Sequence, residues 1–188
     1  MRIIAGELKG RLLLAPTGRL TRPTADRARE TLFNVLAHGN FEMPALEGAR
    51  ILDAFAGAGT LGFEALSRGA AFVTFMENWR GAAKTIENNA KRMKVEERVR
   101  VLGCDATRAP AAQMPVDIAL LDPPYGEGLV PLALASLSKQ GWLKAGSLVV
   151  AEVAVKEEFQ PPEGFTIRHE RMAGSAARFI FLGNSRAS

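Results

Sequence analysis

At 188 residues, 47% hydrophobic and 23% charged, the chain has the length and composition of one globular domain, which excludes disordered and fibrous classes. No apolar run approaches the roughly 20 residues that cross a bilayer, residues 1–9 lack the apolar centre of a secretory leader, and the lone Cys104 can form no internal disulfide, so the cytoplasm is the expected compartment. The formal net charge of +4 is concentrated at one end: seven basic residues (Arg2, Lys9, Arg11, Arg19, Arg22, Arg27, Arg29) stand against three acidic ones up to Glu30, and the remaining chain holds 17 of each sign. A basic end of this kind suits a polyanionic partner, although a solvated arm would have the same composition.

Residues 1 to about 24 form a segment of their own, punctuated by Gly6, Gly10, Pro16, Gly18 and Pro23. Residues 2–6 and 11–14 read as two short strands joined by a turn. A helix is expected next, with Thr24 as its N-cap, with Ala28, Leu32, Val35 and Leu36 at helical spacing, and with a stop near Gly39. From Arg50 the pattern changes to alternating strands and helices. A strand at 51–55 runs into the small-residue loop Ala56-Gly57-Ala58-Gly59, and a helix at 60–67 is closed by Arg68 and Gly69. A strand at 72–76 ends at Glu77 and is followed by an amphipathic helix over 79–93. Strands at 99–102 and 116–121 end at Asp105 and at Asp122-Pro123-Pro124-Tyr125. A helix over about 128–140 and a strand at 147–153 follow, and the tail reads as two strands, 165–170 and 178–182, forming a hairpin at the sheet edge.

These elements predict an α/β fold, a doubly wound, mostly parallel seven-stranded sheet with an N-terminal hairpin and helix extension over 1–39 and a catalytic core over 40–188 of one domain. Ligands of such sheets bind beyond the carboxyl ends of the strands. Asp53, Glu77, Asp105 and Asp122 each fall at such an end, and four acids at one rim ask for a shared reason.

Gly57-Ala58-Gly59-Thr60-Leu61-Gly62 fits the dinucleotide fingerprint, with Glu77 twenty residues after Gly57, so a nicotinamide dehydrogenase is one reading. Asp53 argues against it, because a carboxylate four residues before the loop would repel a pyrophosphate. S-adenosylmethionine suits all four acids: its ammonium would face the Asp53 region, its carboxylate the helix N-terminus after Gly59, its ribose hydroxyls Glu77 and its adenine amine Asp105. The glycines would let the backbone pass close to it.

Asp122-Pro123-Pro124-Tyr125 is the sharpest signal. An amine on an aromatic base is a poor nucleophile because its lone pair is delocalised. Two acceptors against its hydrogens, the Asp122 carboxylate and the Pro123 carbonyl, would favour an sp³-like nitrogen as the new bond forms. Consecutive prolines hold that carbonyl in place, and Tyr125 can stack on a base flipped out of its helix. Neither His38 nor His169 belongs to a metal-ligand pattern, and Cys104 reads as a packed strand residue rather than a nucleophile.

The sequence resembles the RsmD-type 16S ribosomal RNA guanine-N2 methyltransferases. The resemblance is carried by residues 2–6, by Gly10-Arg11, by Thr21-Arg22-Pro23-Thr24-Ala25-Asp26-Arg27-Ala28-Arg29-Glu30-Thr31-Leu32-Phe33-Asn34, by 52–59 and 64–70, and by 121–125. It implies methylation of one guanine N2 by a monomer acting on 16S ribosomal RNA in an assembling small subunit, with no metal and no membrane. It also implies that the N-terminal segment holds the RNA and that residues 22–29 border the active site. Ala54 and Ala58 stand where the family often has Leu and Ser, and the C-terminal hairpin matches only loosely. The expected catalytic residues are Asp122, Pro123, Pro124 and Tyr125. The expected cofactor-binding residues are Asp53, Phe55, Ala56, Gly57, Gly59, Thr60, Glu77, Asn78, Asp105, Ala106 and Asp122, and the expected RNA-binding ones Arg2, Lys9, Arg11, Arg19, Arg22 and Arg27. Adenine N6 or cytosine N4, in DNA or another RNA, remains an alternative target, because the motif serves any such amine. A basic ribosome-binding module without chemistry is a third reading, disfavoured by the intact motif.

Overall fold

The computed structural model describes residues 1–16, 26–39 and 43–185. Arg19, Arg22 and the expected N-cap Thr24 lie outside the described residues. In chain order the elements are α1 (Asp26–His38), β1 (Arg50–Ala54), α2 (Thr60–Ser67), β2 (Phe72–Met76), α3 (Arg80–Met93), β3 (Val99–Leu102), β4 (Val116–Leu121), α4 (Leu129–Lys139), β5 (Leu143–Ala154), β6 (Phe165–Ala173) and β7 (Ala177–Asn184). The strands form one seven-stranded sheet in the order β3-β2-β1-β4-β5-β7-β6. From β3 to β5 every pairing is parallel, whereas β7 runs antiparallel to both β5 and β6.

Alternating strand residues feed two cores. Ile51, Val73, Phe75, Ile118, Leu120, Leu148 and Val150 meet α1, α2 and α3 on one face. Leu52, Met76, Ala119, Leu121, Val149 and Ala151 meet α4 on the other. Burial on both faces explains why these strands read as continuous apolar runs. The hairpin expected at the edge is there, with the more apolar β7 inserted beside β5 and the half-exposed β6 outermost.

Two expectations are corrected. β5 begins at Leu143 rather than 147, and its pairing with β4 slips between Val116 and Ile118. Gly146 takes a left-handed backbone there, and the Ser147 hydroxyl donates to the Val116 carbonyl at 2.7 Å, so the glycine marks a bulge inside the strand. At the N-terminus the two expected strands reduce to one isolated antiparallel bridge, Arg2 with Leu12. The segment closes on itself through Ile3 N–H to Arg11 O, Gly10 N–H to Ile3 O and Leu13 N–H to Met1 O, and its other amides reach the helices behind it. The amides of Ile4 and Ala5 donate to Glu64 of α2, which is fully buried, at 2.8 and 3.1 Å. Glu7 and Leu8 donate to the carbonyl and hydroxyl of Ser67. Asn89 of α3 exchanges hydrogen bonds with both backbone groups of Leu14 and donates to the Ala58 carbonyl, so one side chain joins the N-terminal segment to the glycine loop. Arg29, part of the basic count, is fully buried and bonds to the Arg2 carbonyl and Asp26, so it adds no surface charge.

Candidate active site

Beyond the carboxyl ends of β1, β2, β3, β4 and β5 lies a cleft of about 1190 Å³. Every residue expected at the cofactor lines it except Gly59, and so do Asp122, Pro123, Pro124 and Tyr125. Parity explains the gathering. Asp53 follows Ile51 by two residues, Glu77 follows Phe75 and Asp122 follows Leu120, each pair on the α1–α2–α3 side of the sheet. A fifth acid joins them by the same rule: Glu152 follows Val150, is 7% exposed and lines the cleft. Sequence reasoning passed over it, although a charged residue inside 148–153, otherwise wholly apolar, was a readable signal.

The glycine loop is tied to the strand ends by carboxylates. The Glu77 carboxylate accepts from the Gly57 amide at 2.8 Å and from the Trp79 amide at 2.7 Å, which fixes the loop against β2. α2 starts from Gly59, which supplies no side-chain cap. Asp53 does that work from β1, its Oδ2 accepting the Gly62 amide at 2.8 Å. The glycines divide their roles. A Cβ on Gly57 would enter open space, whereas Cβ atoms on Gly59 and Gly62 would meet Phe63 and Phe75 rings at 2.8 and 2.3 Å. Close approach to a ligand thus concerns Gly57, and the other two permit helix–strand packing. Phe55, a cleft residue, has φ of 64°, a conformation that costs a non-glycine residue about 1–3 kcal/mol and that is found at functional turns.

Asp105 caps a short 3₁₀ turn, its Oδ1 accepting from the amide and hydroxyl of Thr107 at 2.8 Å each. Its Oδ2 takes no hydrogen bond among the described residues and is available to an amine in the cleft. The Cys104 thiol is pushed up by burial and by the neighbouring Asp105 charge, which disfavours a nucleophilic thiolate. The hydroxyl of Tyr125 donates to Glu152 Oε1. Of the expected RNA-binding residues, Arg2, Lys9, Arg11 and Arg27 are exposed on the N-terminal segment and α1, and Met1 and Ala28 of those elements border the cleft.

The Asp53 carboxyl, 2% exposed, is held well above the usual carboxylate range by burial, opposed by the Gly62 amide and reinforced by the charges of Asp122 and Glu77. A raised folded-state value means that Asp53 stabilises the fold below its unfolded pKa and that this contribution is lost as pH rises through the folded one. Asn would keep an acceptor for Gly62 without the buried charge. Asp53→Asn is therefore expected to raise the Tm of the ligand-free protein at neutral pH while weakening a cationic ligand about 10- to 100-fold. Calorimetry with titration of S-adenosylmethionine reads both, and a lowered Tm or unchanged affinity contradicts this role.

A cleft lined by six carboxylates, Glu127 among them, favours a cation, and a cleft with a Pro-fixed strand end and an aromatic face favours a flat base. Residues 1–182 match the family described as Conserved hypothetical protein 95. The chain is 37% identical to the ribosomal RNA small subunit methyltransferase D of Haemophilus influenzae, over 93% of this chain and 89% of that one. It is also 37% identical to the Escherichia coli protein of the same name, over 96% and 89%. The chain belongs to the RsmD family. The solved structure of Escherichia coli yhhF superposes with a TM-score of 0.84 at 35% identity and covers 99% of both chains. The RsmD match thus includes the N-terminal segment, whose clamps on Glu64, Ser67 and Asn89 make it part of the wall around the glycine loop rather than an appended arm. No helix of the described residues is long and apolar enough to cross a membrane.

Proposed function

We propose that this RsmD-family chain transfers a methyl group from S-adenosylmethionine to the exocyclic N2 of a guanine in 16S ribosomal RNA, working as a cytoplasmic monomer on an assembling small subunit. The observation that carries the reading is Asp122-Pro123-Pro124-Tyr125 at the end of β4, opening into the same cleft as the glycine loop. In this reading residues 1–39 hold RNA and residues 40–188 form the catalytic core of one domain. The relatives' names support methylation of small-subunit ribosomal RNA.

The residues present fit the cofactor. Asp53 and Asp122 suit its ammonium side, Gly57 leaves room for close backbone approach, Glu77 faces the ribose position and Asp105 Oδ2 the adenine amine. Phe55, Ala56, Thr60, Asn78 and Ala106 complete its walls. When bound, the cofactor would supply a methyl on a sulfonium centre, the methyl–sulfur bond breaking with its electron pair left on a neutral thioether. Asp122 and the Pro123 carbonyl accept the two N2 hydrogens, which turns the nitrogen lone pair toward the methyl. As N2 gains its new bond, one of its protons passes to the Asp122 carboxylate and on to water. Tyr125 stacks on the flipped base and holds it in line.

Labelled S-adenosylmethionine and small subunits from cells lacking this protein test the reading by nucleoside analysis. Labelled N2-methylguanosine is expected, and label on adenine or cytosine would transfer the same chemistry to another base. For the RNA interface, the double substitution Lys9→Ala with Arg11→Ala should weaken subunit binding and lower the salt slope of log K by about 0.9 for each phosphate left unneutralised. An unchanged slope would remove the hairpin from the RNA interface.

A further inference from the structure

The Asp122 motif serves any exocyclic amine on an aromatic ring, so something else in the cleft must select the base. We propose that Glu152 is the residue that selects guanine, its carboxylate accepting the N1–H beside the reacting N2; this rests on the function proposed above. Position makes Glu152 the natural neighbour of the reacting amine. Leu121 of β4 pairs with Ala151 of β5, so the next residues along, Asp122 and Glu152, stand side by side at the rim of the sheet. Both line the cleft, and the Tyr125 hydroxyl donates to Glu152 Oε1, so the carboxylate lies at the edge of the proposed stacking platform.

The chemistry of the bases makes this placement selective. Guanine carries a donor, N1–H, directly beside its N2 amine. Adenine has an acceptor, N1, beside its N6 amine, and cytosine has N3 beside its N4 amine. An ionised carboxylate accepts and does not donate, so it completes a donor pair with guanine and opposes a lone pair in either other base. A buried acid in an apolar strand also costs the fold stability unless a partner offsets it, and Glu152 sits between Ala151 and Val153, both 1% exposed or less. The Tyr125 hydroxyl is such a partner in the structure, and the guanine N1–H would add to it.

A purely structural Glu152 would act only by positioning Tyr125, and substrate analogues separate the two roles. Small subunits reconstituted with 2-aminopurine at the methylated position present the same C2 amine with N1 as an acceptor. The wild type is expected to prefer guanine over 2-aminopurine in kcat/KM on the order of 100-fold. Glu152→Gln can turn its amide N–H toward N1 of the analogue, so its preference should narrow by at least about tenfold or reverse, with both substrates compared at saturating S-adenosylmethionine. Tyr125→Phe should lower both substrates alike and keep the preference. If Glu152→Gln also slows both substrates by one factor, Glu152 is a positioning residue for Tyr125 and the selection role is wrong. Should Glu152→Gln fail to fold, Glu152→Asp serves: it must retain the guanine preference at a lower rate, and losing the preference overturns the proposal. A wild type that leaves guanine N2 unlabelled sinks the underlying function as well, and that result is visible before any variant is made.

Discussion

Asp122→Ala is expected to lower the turnover of methyl transfer at least about 1000-fold, the size of effect seen when a transition-state hydrogen-bond partner and proton acceptor is removed together. Cofactor affinity should stay within about tenfold of the wild type, because Asp53, Glu77 and Asp105 remain on the cleft wall. Removing Asp122 also takes away one of the charges that hold the Asp53 carboxyl high, which favours the ionised form of Asp53 and partly offsets the loss. Asp122→Asn distinguishes two roles for the carboxylate. The amide oxygen still accepts one N2 hydrogen but takes up no proton. If orientation of the lone pair dominates, Asn should retain activity within about 100-fold of the wild type. If proton acceptance dominates, Asn should be as poor as Ala. Single-turnover rates with saturating cofactor and small subunits give the comparison, and near-wild-type turnover by Asp122→Ala would remove the motif from the chemistry.

What the sequence makes readable follows from the range of the interactions involved. The parallel core is legible because each strand carries its own apolar run and each helix its own spacing, and the four rim acids are legible because each falls within three residues of the carboxyl end of its strand. Asp122-Pro123-Pro124-Tyr125 needs only four consecutive residues to be seen. Glu152 becomes meaningful only when β5 is known to lie beside β4, a pairing of residues about 30 positions apart. Asp53 as the cap of α2, nine residues downstream, shows a similar limit: its role in holding the Gly62 amide depends on how β1 and α2 pack. The N-terminal segment reads as two paired strands because its apolar runs alternate with turn residues. Part of that pairing is present, in Ile3 with Arg11 and Leu13 with Met1, but five further amides go to Glu64, Ser67 and Asn89, partners 59 to 75 positions away that no local pattern announces. The glycine loop matches its fingerprint, yet the reason for Gly59 and Gly62 lies in Phe63 and Phe75 rather than in a ligand.

Gly6→Ala should be the most damaging single substitution in the N-terminal segment, lowering Tm by about 10 °C. Gly6 has φ of +83°, and a Cβ there would lie 1.7 Å from the Ser67 carbonyl oxygen and 2.7 Å from its hydroxyl. That carbonyl receives the Glu7 amide at 2.8 Å, and the hydroxyl receives the Leu8 amide at 2.9 Å, so the clash falls on the clamp itself. The segment must lift away from α2. Glu64, fully buried, then loses the Ile4 and Ala5 amides and, among the described residues, keeps Arg68. A left-handed alanine costs about 1–2 kcal/mol, and each broken buried hydrogen bond adds about 1 kcal/mol, for a total on the order of 3–5 kcal/mol. Gly10→Ala is the matched control. Its φ is +82°, but nothing lies within 4 Å of the added Cβ, so only the backbone cost applies. The difference between the two melts therefore measures the docking of the segment, and equal melts would mean that it is not docked. Arg2, Lys9 and Arg11 ride on the same segment, so Gly6→Ala should weaken RNA binding without touching a single charge, and Gly10→Ala should leave it nearly intact.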